Sequence, residues 1–306
     1  MKRRGFLKTA FLGAAASASG CLNGITGGDG GDGDGNSGGN SGGNVNTDYS
    51  PCLYFSNSQR YGFSFMRVSK LLEEVGMESS SPLTITATGL KAEDVDELTV
   101  VQEGKEISNA VTADYSPSKA VNSLESENYE KQTDYSGYEI YSKRISSTTV
   151  HAVGVGDKHL LGGASSERGK AVENVRKLTD SNRGSTQRYY EEEQGFAELV
   201  NQLGDGTQVT GRVSGGRGYQ NEFARGNGVA INGETTQNKL VIVFDSGEYA
   251  QNALGGIEAN FEGSRGQSQQ NQNRLFAHAE NVNVERNGSA IVVTGSMPTS
   301  ELSKIL

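Results

Sequence analysis

From Gly24 to Asn46 the chain is almost entirely Gly, Asp, Asn and Ser, and this stretch limits folding more than any other. A segment with so few apolar side chains cannot bury enough surface to offset the entropy lost on ordering it. It is expected to remain a flexible linker, so any core must come from residues 47–306. That length suffices for one large domain or two small ones. Asp29, Asp32 and Asp34 are interleaved with glycines and faintly suggest a calcium loop, but the bidentate glutamate and flanking helices of such a loop are missing. A solvated linker is the expectation there.

Ahead of the linker, Lys2, Arg3, Arg4 and Lys8 make a basic start, Thr9 to Ala16 is apolar, and small residues lead into Cys21. The apolar run is about half of the roughly 20 residues a spanning helix needs. It therefore reads as a secretion signal and not as a permanent membrane helix. An ordinary buried N-terminal helix would account for neither the paired arginines, nor the flush cysteine, nor the abrupt change to glycine. Two resemblances rest on these residues. Arg3-Arg4-Gly5-Phe6-Leu7-Lys8 resembles the twin-arginine export motif, with Arg3, Arg4, Phe6, Leu7 and Lys8 at its signature positions. Ala18-Ser19-Gly20-Cys21 resembles a lipobox, whose cysteine becomes the lipidated first residue. Together they imply export in the folded state, cleavage before Cys21, and anchorage by acyl chains at the outer face of the cytoplasmic membrane. The organisation expected is a signal at 1–20, a lipidated tether at 21–46, a first α+β domain at 47–214 and a second unit at 219–306.

Losing Lys2, Arg3, Arg4 and Lys8 would take the formal charge from −9 to −13. Such a chain is a poor nucleic-acid binder, because neutralising phosphates supplies most of that affinity. It would also be repelled by anionic headgroups, which again favours a tethered body. Acidity, few lysines, the export signal and the Gly/Asp/Asn tether together resemble secreted proteins of halophilic archaea. With Cys21 lipidated, Cys52 has no disulfide partner. Beside Leu53, Tyr54 and Phe55 it reads as a small buried hydrophobe.

Along the body the period of the apolar residues changes repeatedly between two and 3.6. Tyr61, Phe63, Phe65 and Val68 alternate as a strand, Ser69 to Glu74 reads as a short helix, and Lys91 to Leu98 as another that passes into a strand. Ile107 to Asp114 is a strand, and Ser116-Pro117 starts a helix. Tyr138 to Ile145 and Thr149 to Val155 are strands, the second turned back at Gly156-Asp157-Lys158 into His159 to Gly162. Ser165-Ser166 caps a helix with the stripe Ala171, Val172, Val175 and Leu178. Phe196, Leu199, Val200 and Leu203 mark the next helix, and Gln208 to Val213 a strand. This order resembles a split βαβ, ferredoxin-like unit. After Ser214-Gly215-Gly216-Arg217-Gly218 the pattern restarts with strands at Gly228 to Asn232 and Leu240 to Phe244, the latter apolar enough to be covered on both faces. A helix follows from Asp245-Ser246 to about Phe261, then a Gln/Asn-rich loop at Gly263 to Asn273. An Asn287-Gly288 hairpin and a terminal helix from Thr299 end the chain. The fold class expected is α+β: antiparallel or mixed sheets with helices on one face, as a ferredoxin-like unit plus a smaller α+β unit. A weak echo between Asp114-Tyr115-Ser116 and Asp245-Ser246 supports two diverged units.

Reactive constellations are scarce. His151 and His159 lie on adjacent strands of one hairpin, but a metal would want a third ligand, and Asp157 sits in the turn between them. Solvent-facing or edge histidines are expected, and His278 stands apart. The chain holds no HExxH, CxxC or Gly-x-Ser-x-Gly pattern. Ser214 to Gly218 could cradle an anion but reads as a linker, and Glu191-Glu192-Glu193 suits the start of a helix. Asn287-Gly288-Ser289 is the single Asn-x-Ser/Thr sequon in the chain, a possible N-glycosylation site on an exposed hairpin. The function expected is a non-enzymatic, lipid-anchored surface protein that binds a protein or other envelope component, with no cofactor, metal or nucleic-acid partner. The alternatives are a solute-binding lipoprotein serving a transporter and a divergent extracellular hydrolase.

Overall fold

The period-two runs assemble into one sheet. The computed structural model describes residues 47, 49, 52–54, 60–75, 87–214, 218–262, 276 and 278–305. Its strands are β1 (Tyr61–Arg67), β2 (Val95–Glu103), β3 (Glu106–Ala113), β4 (Glu130–Tyr135), β5 (Tyr138–Ser146), β6 (Thr149–Val155), β7 (His159–Ser165), β8 (Gln208–Val213), β9 (Glu222–Asn232), β10 (Thr235–Phe244), β11 (Glu280–Asn287) and β12 (Ala290–Pro298). The helices are α1 (Val68–Val75), α2 (Pro117–Ser126), α3 (Arg168–Asn182), α4 (Tyr189–Glu192), α5 (Gln194–Leu203), α6 (Gly247–Glu262) and α7 (Thr299–Ile305).

The strands form a 12-stranded sheet in the order β11-β12-β10-β9-β8-β1-β2-β3-β7-β6-β5-β4. All its neighbours pair antiparallel. This corrects the expected fold class. A ferredoxin-like unit is a small self-contained sheet, and the described strands form none: all twelve belong to this one sheet. Nor do the strands before and after Ser214–Gly218 form separate sheets: β8 pairs β9 from Gln208↔Val229 to Val213↔Ala224. The junction is β1, placed between β2 and β8, with Gly62 opposite both Gln102 and Arg212.

Helices cover both faces, where one was expected. On β10, Val241 and Val243 point into one core while Leu240, Ile242 and Phe244 point into another, as alternation along a strand requires. The first face carries Phe63, Phe65, Val101 and Val209 under α3 and the α4–α5 pair. The opposite face carries two clusters. One gathers Val95, Val111, Val153 and Leu160 under Ala120 and Leu124 of α2. The other gathers Val229, Ile242, Ile291 and Val293 under Ala250 and Ile257 of α6. Helix α1 bridges them, sending Val68 to the first and Leu71 to the second.

Several local expectations change for physical reasons. Lys91 to Leu98 holds only a 3₁₀ turn at Ala92–Asp94 before β2 begins, because Val95 and Leu98 are needed by the sheet face above them. Ser165 ends β7 and the N-cap of α3 is Glu167. Ser116 holds the N-cap position before Pro117 without a side-chain cap, its hydroxyl meeting that of Ser118 at 3.1 Å. Glu130–Tyr135 is an edge strand with no apolar period; its charges pair as Lys131–Asp134 at 2.8 Å and Arg168–Glu130 at 2.7 Å. Charged side chains are a common way to blunt an open sheet edge.

Helix α3 lies so close to β7 that a Cβ on Gly163 would stand 2.3 Å from the Ala171 carbonyl oxygen. Gly163→Ala is therefore expected to destabilise the protein by about 1–3 kcal/mol through overpacking against backbone. Gly255, exposed in α6 with nothing near its missing Cβ, should behave oppositely, Gly255→Ala stabilising by about 0.5–1 kcal/mol. Urea unfolding of both variants beside the parent checks the pair.

Candidate functional site

Tyr49, Leu53 and Tyr54 lie next to the expected tether, yet each is at most 1% exposed. They form a strap across the first face of the sheet. The Tyr49 ring stacks on Phe63 with centroids 4.9 Å apart and lies 5.3 Å from Phe65. Its hydroxyl donates to the Gly204 carbonyl at the end of α5 at 3.1 Å. Tyr189 N donates to the Leu53 carbonyl at 2.8 Å. The Tyr54 hydroxyl meets Ser108 Oγ at 3.2 Å, with the Lys177 ammonium 5.3 Å from its ring. Behind the strap Tyr61 stacks on Tyr189 at 4.1 Å, with Phe196 set edge-on to both. The body thus receives the preceding chain through an aromatic cluster set between the helices of one face. Sequence reasoning missed this because the strap is too short to show a period; the tyrosines just past the glycine-rich stretch were the available signal.

Cys52 sits in the strap, half-buried against the same core. Burial pushes its thiol up to about 11, against a lowering hydrogen bond from the Thr99 side chain. A thiol so rarely ionised is a poor nucleophile, in keeping with a packing role.

The histidines separate. In the β6–β7 hairpin His151 pairs with Ala164 while His159 lies at the opposite end, beside the turn. His151 is 6% exposed, not solvent-facing as expected, and its Nδ1 shares a 2.9 Å hydrogen bond with the Tyr129 hydroxyl. Desolvation draws its pKa from 6.5 down to about 4. Asp157 is exposed in the turn, and His278 is exposed elsewhere. Among the described residues no group of three or more His, Cys, Asp or Glu could hold a metal ion.

A buried ion pair follows the Ser214–Gly218 segment, of which 215–217 lie outside the described residues. The Glu222 carboxylate accepts from Arg225 Nε at 2.7 Å and from Tyr219 N at 2.9 Å, and also from Arg225 Nη2 and the Ser214 hydroxyl. Burial alone would raise its pKa, but Arg225, Ser214 and the Tyr219 amide hold it below the usual carboxylate range. With these acceptor positions taken, the cluster locks the β8–β9 connection. Lys239 plays a similar structural part, its ammonium donating to the Gln202 carbonyl in the last turn of α5, where a cation suits the helix dipole.

Asn287 is exposed at the end of β11 and pairs with Ala290, which leaves Gly288 and Ser289 as the turn. Gly288 takes φ 58°, and Arg286 Nη1 donates to its carbonyl at 2.9 Å. Arg3, Arg4, Phe6, Leu7, Lys8 and Cys21 lie outside the described residues, as do the tether to Asn46 and the Gly263–Asn273 loop.

No protein family matches the chain, and no curated protein matches it by sequence. Solved structures do. Crystal form IV of TP0453 is similar over 87% of this chain and 99% of its own, with a TM-score of 0.50 and 12% identity. Crystal form I covers 85% and 97% at 0.47 and 12% identity, and crystal form III covers 85% and 98% at 0.46 and 10% identity. The form IV likeness, spanning nearly the whole of TP0453, identifies a shared fold.

Two predictions follow from the buried groups. Between about pH 6.5 and 4 the unfolded chain binds a proton at His151 that the native state refuses, so stability is full above 6.5 and declines toward 4. The loss attributable to this residue is about 3 kcal/mol; denaturant melts at several pH values should show a shallower acid limb in His151→Gln. Tyr49→Ala should cost about 3 kcal/mol by emptying an aromatic site, and Tyr49→Phe about 1 kcal/mol for one hydrogen bond. Thermal unfolding of the two variants separates ring packing from the bond to Gly204.

Proposed function

We propose that this protein is a lipid-anchored envelope component, exported already folded and held at the outer face of the cytoplasmic membrane through Cys21. It acts there by binding a protein or other envelope component. The observation that carries this reading is the ordered run of Arg3-Arg4, a short apolar segment and Ala18-Ser19-Gly20-Cys21. Two features of the body support it. No helix among the described residues is long and apolar enough to cross a membrane, so acyl chains on Cys21 would supply the attachment. The sheet also joins distant parts of the chain at its centre: β1 pairs with β8, Gly62 opposite Arg212. A route that carries folded cargo suits such long-range pairing.

Cell fractionation tests the reading. Cys21→Ser is expected to release the protein from the membrane into the medium, while replacing Arg3 and Arg4 together by lysine should leave it in the cytoplasm. A Cys21→Ser protein that stays with the membrane fraction would overturn lipid anchorage. For the binding role, crosslinking on intact cells should capture one stoichiometric partner, and cells that yield none would count against it.

A further inference from the structure

We infer that Asn287 is an N-glycosylation site, and that its sugar guards the open edge of the sheet at β11. This rests on the export reading, since a sugar donor at the outer face of the membrane must meet the protein there. The chain has one Asn-x-Ser/Thr sequon, and the structure puts it where a folded substrate can offer it. Asn287 is exposed, and it lies at the last residue of β11, which among the described strands is bonded on one side, to β12. A protein exported after folding must present its acceptor on the finished surface, and exposed Asn287 meets that condition.

The two edges of the sheet explain what a sugar would do. At β4 the edge is defended by a network of ion pairs, Lys131 reaching Asp134 at 2.8 Å and Glu139 at 2.7 Å, and Arg168 reaching Glu130 at 2.7 Å. At β11 Glu280, Asn283, Glu285 and Arg286 are exposed, yet Val282 and Val284 pack inward and keep the strand in regular register with β12 from Asn283 to Asn287. A regular edge strand is a template for pairing with another chain, and a bulky solubilising group at its end blocks that approach. In the transfer, Asn287 Nδ2 bonds to the anomeric carbon of a lipid-phosphate-linked oligosaccharide. The bond from that carbon to the phosphate oxygen breaks, the lipid phosphate leaves with the electron pair, and Nδ2 gives up one proton.

The test is mass spectrometry on full-length protein shaved from, or extracted with, the membranes of its own cells. Cleavage after Glu285 and Glu301 releases the peptide Arg286–Glu301, whose sole asparagine is Asn287. The expected result is a peptide heavier by whole sugar residues, returning to its bare mass in Asn287→Gln and in Ser289→Ala but remaining heavy in Ser289→Thr. Bare peptide from protein that is surface-accessible and lipidated on Cys21 overturns the inference and leaves the anchoring reading intact. Protein that never reaches the surface overturns the anchoring reading, and this one with it. A heavy peptide that persists in Ser289→Ala also counts against it, because the sequon would not be what directs the modification.

Discussion

Strand β1 is the member on which the sheet depends. It is hydrogen-bonded along one side to β2 and along the other to β8, so among the described strands it joins β2-β3-β7-β6-β5-β4 to β11-β12-β10-β9-β8. Its side chains do as much on one face as its backbone does in the plane. Tyr61, Phe63 and Phe65 are each nearly inaccessible, and they supply the aromatic floor on which Tyr49, Tyr189 and Phe196 pack. Aromatic pairs of this kind contribute beyond the area they bury. Remove the strand and both the plane and the larger core lose their centre.

Around that centre the packing differs by face. One face has a continuous core that runs from Ile140 through Phe63 to Val243, closed by α3, α4, α5 and the strap. The other divides its apolar residues between a cluster under α2 and a cluster under α6. In both, a helix follows directly on a strand that ends in an aspartate-containing turn, Asp114 before α2 and Asp245 before α6. Each chain then returns antiparallel to the strand it left, through β7 to β3 and through β12 to β10. The sequence echo between these places reflects a shared way of covering the sheet, repeated on one face.

Much of the local structure was legible. Gln208–Val213 is a strand over the expected residues, the stripe Phe196, Leu199, Val200 and Leu203 is buried as a helix face, and Asn287-Gly288 does mark a hairpin. Leu240–Phe244 looked covered on both faces and is. That observation already conflicted with helices on a single face, and it pointed the right way. What could not be read was which strands become neighbours, because antiparallel partners far apart in sequence leave no mark on periodicity. The restart after Ser214–Gly218 looked like a boundary between units, whereas β8 and β9 flank it as hydrogen-bonded partners. Polar edge strand β4 carried no apolar signal, and His151 gave no hint of burial since its Tyr129 partner comes from outside the hairpin. Of the candidate site, the strap was not legible, being too short to show a period.

The strap has a mechanical consequence. A load applied from the amino-terminal side meets Tyr49 and Tyr54 first, and must draw Tyr49 from beside the end of α5 and Tyr54 from beside α3 before it reaches β1. That strand lies sixth of twelve in the sheet, gripped along both sides, so it cannot be unzipped one bond at a time as an edge strand can. Forced unfolding is governed by the unfolding barrier and not by the equilibrium. A pull from the amino-terminal side must therefore break both ladders of an interior strand together.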